Sequence, residues 1–178
     1  NYKIIKCHYP VIDNEITLES AYTNGFFSKE ESFVPHGYGI KSKLDWFAGY
    51  CDANGSTNQE YQNLQVCCIE LDFLKNIKLM LNTCGINPEI DSVSDKEAYR
   101  LLINSRDLNK LVELGFNPKR LIINNNHIPN RDARKFTKIK RVEITNRIDD
   151  TYCFEERKEH KGIFNGVITG QCNEIVEY

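Results

Sequence analysis

The sequence has few of the features that point to a common class of protein. Its net charge is −2, so no overall positive field would attract nucleic acid. It has no apolar run long enough to cross a membrane and no signal peptide at its start, so no membrane partner is expected. The seven cysteines are odd in number and include no C-x-x-C pair, which argues against a disulfide framework and a zinc knuckle. Reduced thiols in a cytoplasmic setting fit this pattern best.

The composition nevertheless supports a folded protein. The chain has 178 residues, enough for one ordinary domain or two small ones. An apolar content of 40%, with nine tyrosines and nine phenylalanines, can build a hydrophobic core. Because residue 1 is asparagine and not an initiator methionine, we expect a piece of a longer protein or a processed chain.

The most informative stretch, LDWFAGYCDANGS at residues 44–56, predicts a helix with one apolar face. That face is formed by Leu44, Phe47, Ala48 and Cys51. Ser42 and Asp45 have the S-x-x-D spacing of a capping box, which predicts the start of the helix. Ala48 and Gly49 are small, so another backbone can come close to the helix at this point. Gly55 can turn the chain out of the helix after Asn54.

Residues 47–55, FAGYCDANG, resemble the LAGLIDADG (dodecapeptide) homing endonuclease motif without a gap. In that family two such helices pack at their small residues, and the last acid of each motif holds the divalent metal that cuts DNA. The resemblance therefore implies catalytic and metal-binding roles for Asp52 and Asn54, with Mg as cofactor if the nuclease is active. However, Asn54 replaces the last acid, and a neutral amide lacks the charge that such a site needs. We therefore expect impaired cleavage.

Periodicity predicts a regular order of elements after this helix. The order is helix, two strands, helix, two strands, helix, with later elements at residues 56–61, 64–69, 71–84, 86–92, 98–103 and 107–114. Gly85 and Gly115 are predicted to stop the second and third helices, and Ser105 to cap the third. This αββαββα order is what one LAGLIDADG subdomain has. We therefore predict an α+β fold, with the subdomain at residues 41–117.

An incomplete second copy of the motif precedes the subdomain. AYTNGFFS at residues 21–28 resembles the front of a LAGLIDADG helix, with Asn24 and Gly25 at the places of Ala48 and Gly49. It breaks off at Lys29, where a Gly-Asp-Gly ending would be expected. Residues 1–40 are therefore interpreted as the remnant of a first LAGLIDADG half and its connector, with an ordinary helix and loop as the alternative.

Residues 118–150 form a basic linker. Its cations up to residue 141, against the single acid Asp132, are Lys119, Arg120, Arg131, Arg134, Lys135, Lys138, Lys140 and Arg141. Such a stretch can bind the phosphates of double-stranded DNA without reading its sequence. A solvated linker or helix face is the other interpretation of a run of charge.

Residues 151–171 resemble the C-terminal splicing blocks of an intein, a small all-β (Hint-type) hairpin segment. The positions that match in register are Tyr152, His160, Asn165-Gly166 and Cys172. The resemblance implies that Cys172 takes over the upstream chain as a thioester, that the amide of Gln171 cleaves the 171–172 bond, and that His160 transfers protons. Gln171 replaces the family's asparagine and Gly170 its second histidine, so splicing should be slow. Cys153, Asn165 and Gly170 would support the reaction.

The last seven residues, CNEIVEY, resemble the active-site segment of the ribonucleotide reductase large subunit. There a Cys-x-Glu pair supplies a radical-carrying thiol and a base, here Cys172 and Glu174. Residues 172–178 would then be the start of the host protein after an intein. No Thr-x-x-His of a front splicing half occurs, so the expected partner is an N-terminal intein half or the host reductase chain.

Three functions stay open at the level of sequence. The first is the C-terminal part of a reductase intein that combines a LAGLIDADG domain with impaired cleavage and a splicing block. The second is an active Mg-dependent DNA endonuclease, acting as a homodimer that pairs two copies of the Leu44 helix. The third is a non-catalytic DNA-binding domain. The expected location is the cytoplasm, or the cytoplasm or nucleus of the host cell if the protein is viral.

Overall fold

The computed structural model describes most of residues 9–123 and parts of the rest of the chain. The described ranges are 9–29, 33–58, 62–93 and 97–123, positions 141, 143–145 and 148, and the backbone of residues 3–5, 136–138, 161–164 and 167–170. The chain divides into two compact units, one of residues 9–130 and the other of residues 1–8 with 131–178. Residues 1–40, predicted as one segment, are thus shared between the two units.

Four helices and eight strands lie in the described parts of the chain. In chain order they are β1 (Lys3–Ile5), α1 (Ala21–Phe26), α2 (Ile40–Asn54), β2 (Gly55–Asn58), β3 (Asn63–Cys68), α3 (Leu71–Thr83), β4 (Glu89–Ser92), β5 (Tyr99–Ile103), α4 (Ser105–Glu113), β6 (Phe136–Lys138), β7 (Lys161–Phe164) and β8 (Val167–Gly170). The order from α2 to α4 confirms the predicted αββαββα succession. None of the described helices is long and apolar enough to span a membrane.

The larger unit is built on an antiparallel sheet with the strand order β2-β3-β5-β4. In the two central strands, alternate residues are buried, because successive side chains of a strand point to opposite faces. The buried residues are Leu64, Val66 and Cys68 in β3 and Leu101 and Ile103 in β5. This face joins the core with the helices, and the other face carries polar residues such as Gln65 and Arg100.

The central helix α2 is buried on almost every side. The predicted apolar face is confirmed, since its four residues Leu44, Phe47, Ala48 and Cys51 are at most 1% exposed. Trp46 and Tyr50, outside that face, are also buried, and their rings stack 5.6 Å apart. The helix is therefore buried around most of its circumference, and the polar residues Ser42 and Lys43 are buried together with the apolar ones.

The predicted start of α2 is wrong. The helix begins at Ile40, so Ser42 lies inside it and does not cap it. Instead, Asp13 accepts a hydrogen bond from the Ile40 N–H at 2.8 Å, and the Ser42 hydroxyl accepts one from the Leu18 N–H at 2.9 Å. Both groups are satisfied by residues more than twenty positions away, which a local spacing rule cannot detect.

A buried lysine of α2 joins Ile12 to the end of α3. Lys43 is 1% exposed, and its ammonium donates to the Thr83 hydroxyl at 2.9 Å and the Ile12 carbonyl at 3.3 Å. The Ile12 N–H in turn donates to the Thr83 carbonyl at 2.7 Å. Hydrogen bonds of this kind make the burial of a polar group tolerable.

The other two long helices lie close to their predicted positions. On α3, Leu74, Ile77, Leu81 and the following Cys84 are buried, as the helical spacing predicted. Gly85 and Gly115 have φ of 75° and 105°, so they end α3 and α4 in the left-handed region that favours glycine. The predicted cap of α4 is wrong by one residue, because the Asn104 side chain, and not Ser105, accepts the Asp107 N–H at 2.9 Å.

The smaller unit consists, in its described backbone, of two antiparallel strand pairs. β1 pairs with β6, and β7 pairs with β8 in a hairpin. In the hairpin Ile163 lies opposite Ile168, as the Asn-Gly turn signal between apolar pairs predicted. That this hairpin is a splicing element stays a prediction.

Candidate functional site

Helices α1 and α2 approach each other so closely that glycine is required at the contact. A Cβ added to Gly49 would lie 2.0 Å from the Tyr22 carbonyl oxygen, and one added to Gly25 would lie 1.8 Å from the Trp46 carbonyl oxygen. Real Cβ atoms do not come this near to backbone. The prediction that the small residues of α2 admit another backbone is therefore confirmed, and that backbone belongs to the same chain.

This contact bears on the predicted homodimer. The face of α2 around Gly49 is covered by α1. Two chains could pair through the same face of α2 only if α1 moved away from it.

Asp52, near the C-terminal end of α2, accepts four hydrogen bonds. Its Oδ2 accepts from the Tyr22 hydroxyl at 2.8 Å and from the Lys119 N–H at 2.5 Å. Its Oδ1 accepts from the N–H groups of Arg120 at 3.0 Å and Leu121 at 2.8 Å. The carboxylate therefore joins three parts of the fold: α1, α2 and the segment that follows α4.

These contacts determine the protonation of both side chains. Burial raises the pKa of Asp52, but the hydrogen bonds from Leu121, Tyr22, Lys119 and Arg120 outweigh it, so the pKa lies below its usual value. Burial, the hydrogen bond to Asp52 and the charge of that carboxylate raise the pKa of Tyr22, against a smaller opposite effect of Arg120. At neutral pH the pair is therefore a carboxylate and a neutral phenol.

Two cations of the basic linker lie over aromatic rings of α1. The Lys119 ammonium is 4.0 Å from the centre of the Tyr22 ring, and the Arg120 guanidinium carbon is 4.6 Å from the centre of the Phe26 ring. Both cations belong to exposed residues, so their charges face solvent while the rings restrict their positions.

Asn54 is exposed at the last residue of α2. Its Nδ2 donates to the Tyr50 carbonyl at 3.3 Å, one turn earlier in the helix. The amide therefore offers at most one neutral oxygen to a cation.

The residues predicted to hold Mg do not fit that role. A hard divalent cation prefers several charged oxygen ligands, whereas Asn54 is neutral and both Asp52 oxygens are already bonded. Within the described parts of the chain, no group of three or more His, Cys, Asp or Glu residues could hold a metal ion.

Many predicted site residues lie outside the part of the chain that the structure describes. These are Arg131, Arg134, Lys135, Lys140, Cys153, His160, Asn165, Gln171, Cys172 and Glu174, and only the backbone is described for Lys138 and Gly170. Arg141 is described and is exposed, with an ion pair to Glu143. The structure thus brings together Asp52, Lys119 and Arg120 from the predicted set.

Sequence reasoning missed Tyr22 and the three consecutive N–H groups that bind Asp52. The N–H groups are 67 to 69 positions from Asp52 in the chain. No local spacing rule connects such residues. A tyrosine near the glycine of α1 was visible, but nothing in the sequence related it to Asp52.

Comparison with known proteins matches part of this chain to a family and finds a curated relative. Residues 41–114 match the family described as a LAGLIDADG-like domain. The chain is 38% identical over 163 residues to the ribonucleoside-diphosphate reductase large subunit of Invertebrate iridescent virus 6. That match covers 80% of this chain but only 17% of the relative, so the chain spans about a sixth of its length.

Solved structures of the homing endonuclease I-DmoI are similar in part. Its mesophilic variants are 21% identical, with a TM-score of 0.37 and coverage of 42% of this chain and 41% of theirs. The complex of I-DmoI with DNA and Mn is 20% identical, with a TM-score of 0.37 and coverage of 43% of each chain. The complex with DNA and Ca is 19% identical, with a TM-score of 0.38 and coverage of 49% and 45%.

The family match and the helix order agree on the same residues. The matched range begins within α2 and ends just after α4, which is the αββαββα unit. The reductase predicted from the last seven residues is also the protein that the curated relative is named for. Residues 41–114 of this chain therefore match the family described as a LAGLIDADG-like domain, and the chain is similar to part of a ribonucleoside-diphosphate reductase large subunit.

Proposed function

We propose that the chain is the C-terminal part of an intein in a ribonucleotide reductase large subunit. In this proposal, a LAGLIDADG-like domain binds double-stranded DNA with impaired cleavage, and the C-terminal splicing block joins the host protein. The extent of the reductase match carries the proposal. Residues 41–114 make up less than half of the chain, whereas 80% of it is matched, so the match includes part of this domain and sequence outside it. A nuclease-like domain inside a reductase chain is what an intein would produce.

The proposed splicing chemistry uses three residues at the end of the chain. The Cys172 thiol attacks an upstream thioester, so that the upstream chain becomes bound to its sulfur and the former thiol leaves. The side-chain nitrogen of Gln171 then attacks its own backbone carbonyl, which closes a six-membered imide and breaks the 171–172 peptide bond. His160 is the proposed proton donor to the leaving amine.

Ligation in trans tests this chemistry. The chain is mixed with a separately made N-terminal intein half that carries a short host segment, and the products are weighed by mass spectrometry. We expect residues 172–178 to leave the chain and to appear joined to the host segment. Gln171→Asn should speed the reaction because a five-membered imide closes more readily, and Cys172→Ala should abolish ligation. An intact chain under all conditions would contradict the proposal.

The proposed DNA contact is the basic linker, beginning with Lys119 and Arg120. The distribution of charge in the described residues favours this location over the face of the sheet that points away from the core. On that face Arg100 lies 3.5 Å from Asp91 in an ion pair, and Glu89 adds another acid. A surface with this balance would not attract phosphates, whereas two exposed cations held on aromatic rings would.

Impaired cleavage is proposed because Asn54 is neutral and Asp52 is fully bonded. We expect the wild-type chain to shift a DNA fragment from an intein-less reductase gene in a gel without cutting it in Mg²⁺. Asn54→Asp should add Mg²⁺-dependent cutting, and the matched control Asn54→Ala should not. Cutting by the wild type at the rate of Asn54→Asp would contradict this part of the proposal.

A non-catalytic DNA-binding domain is the second candidate, and the bonding of Asp52 favours it. This candidate predicts that the wild type and Asn54→Asp both shift DNA in a salt-dependent way without cutting it. It also predicts no ligation in trans. The dimeric endonuclease would require displacement of α1 from α2, and it would be detected as cutting that depends on self-association.

A further inference from the structure

We infer that Asp52 is a positioning residue that shapes a phosphate-binding element, and not a metal ligand. Its carboxylate fixes the backbone of residues 119–121, so that Lys119 and Arg120 stay over the rings of α1 with their charges exposed. The DNA half of this inference rests on the proposed function, whereas the role of Asp52 as a clamp does not.

The geometry accounts for every acceptor site of the carboxylate. A carboxylate has about four lone-pair directions, and Asp52 receives four donors, two on each oxygen. Three of the donors are consecutive backbone N–H groups, and all three donate to this one carboxylate. No lone pair of Asp52 is left to face a cation in solution.

The clamp has a direct consequence for the two cations. Fixing three successive N–H groups sets the backbone direction at residues 119 and 120, and so determines where their side chains start. The Lys119 side chain then reaches the Tyr22 ring and that of Arg120 reaches the Phe26 ring. Tyr22 contributes twice, because its hydroxyl also binds Asp52.

The cluster keeps a positive charge after the clamp is counted. Two cations against one carboxylate leave one net positive charge, and the carboxylate is covered by its donors while the cations are exposed. Lysine and arginine held in this way are suited to contact two phosphates of a DNA backbone, without reading bases.

Amide hydrogen exchange tests the clamp without DNA. In the full chain, we expect Asp52→Asn to speed exchange at residues 119–121 by tenfold or more, while amides of α3 stay as in the wild type. The matched control is Asp45→Asn, which neutralises an exposed acid on the same helix that pairs with Lys41. If Asp52→Asn disturbs α3 as well, Tyr22→Phe, which removes one of the four bonds, should still speed exchange at residues 119–121. Exchange unchanged in both variants would overturn the clamp.

DNA affinity measured in EDTA separates positioning from charge and from metal binding. Lys119→Gln with Arg120→Gln should reduce the slope of log affinity against log salt by about 1.8, since each phosphate contact contributes about 0.9. Asp52→Asn removes a negative charge, so charge alone would tighten binding, whereas loss of positioning should weaken it severalfold. Tighter or unchanged binding would overturn the positioning role in DNA contact.

The two measurements separate this inference from the proposed function. A wild-type chain that does not bind DNA would refute the DNA part of the proposed function, while hydrogen exchange would still decide the clamp. Binding by the wild type with an unchanged salt slope in the double variant would refute only the phosphate contact.

Discussion

At the scale of single residues, the motif assigns two polar side chains that the fold uses differently. Asp52 and Asn54 are two positions apart at the end of one helix. Asp52 turns toward α1 and the 119–121 backbone, where four donors bind it. Asn54 faces solvent. The same motif therefore supplies a structural carboxylate and an exposed amide, and only the second position is open to a ligand.

The pKa shifts of Asp52 and Tyr22 predict two limits of pH for the clamp. The pKa of Asp52 is lower in the folded state than in the unfolded state. The bonded carboxylate therefore stabilises the fold fully above the unfolded pKa of about 3.9, and this stabilisation is lost as the pH falls through the lower folded pKa. The pKa of Tyr22 is higher in the folded state. The neutral phenol therefore stabilises the fold fully below its unfolded pKa of about 10, and this stabilisation is lost as the pH rises through the higher folded pKa. Lys119 and Arg120 are the cations that face the pair.

Amide chemical shifts of residues 119–121 measure the acid limit. We expect them to titrate together below pH 3.9 in the wild type and to lose this step in Asp52→Asn. A step that persists in Asp52→Asn would assign the titration to another group.

At the scale of elements, close approach of helices depends on the absence of two Cβ atoms. Gly49→Ala should destabilise the fold by about 1–3 kcal/mol, because its methyl group would overlap the Tyr22 backbone, which cannot move as a side chain can. The midpoint of urea unfolding measures the loss. Gly37→Ala is the control, since no atom lies within 4 Å of a Cβ at that position. Equal midpoints for the two variants would contradict the packing described for α1 and α2.

The start of α4 gives a second prediction for an element. Asn104→Ala should cost about 1 kcal/mol, because the side chain that accepts the Asp107 N–H is lost. Ser105→Ala removes the hydroxyl that the sequence suggested as the cap, and it should cost clearly less. Denaturant unfolding of the two variants measures the difference. A larger loss of unfolding free energy in Ser105→Ala would show that Ser105 is the cap of α4, as the sequence predicted.

At the scale of the whole molecule, the hydrophobic core found among the residues whose burial is described lies within the larger unit. The buried cluster runs from Ala21 to Phe116, inside residues 9–130. A fragment of residues 9–130 should therefore fold alone. The urea midpoint of its unfolding should be close to the midpoint at which the same unit unfolds in the full chain. Circular dichroism during unfolding measures it. A fragment without a cooperative transition would show that the smaller unit is needed for the larger one to fold.

The sequence by itself determined the succession of elements in the LAGLIDADG-like domain. Apolar side chains at helical spacing, alternation in the strands and two glycines after α3 and α4 are local signals, since the backbone geometry of each element sets its own period. The same local signals placed the caps of α2 and α4 wrongly. At α2 the true partner, Asp13, is 27 positions away.

Only the tertiary structure decided what the functional side chains contact. The hydrogen bonds of Asp52 join residues 30 to 69 positions apart, and their formation depends on the packing of α1 against α2 and on the path of the chain after α4. A motif specifies which atoms are available, but the number of donors around a carboxylate is set by the folded surroundings. That count, four donors for four lone pairs, is what separates a clamp from a metal ligand.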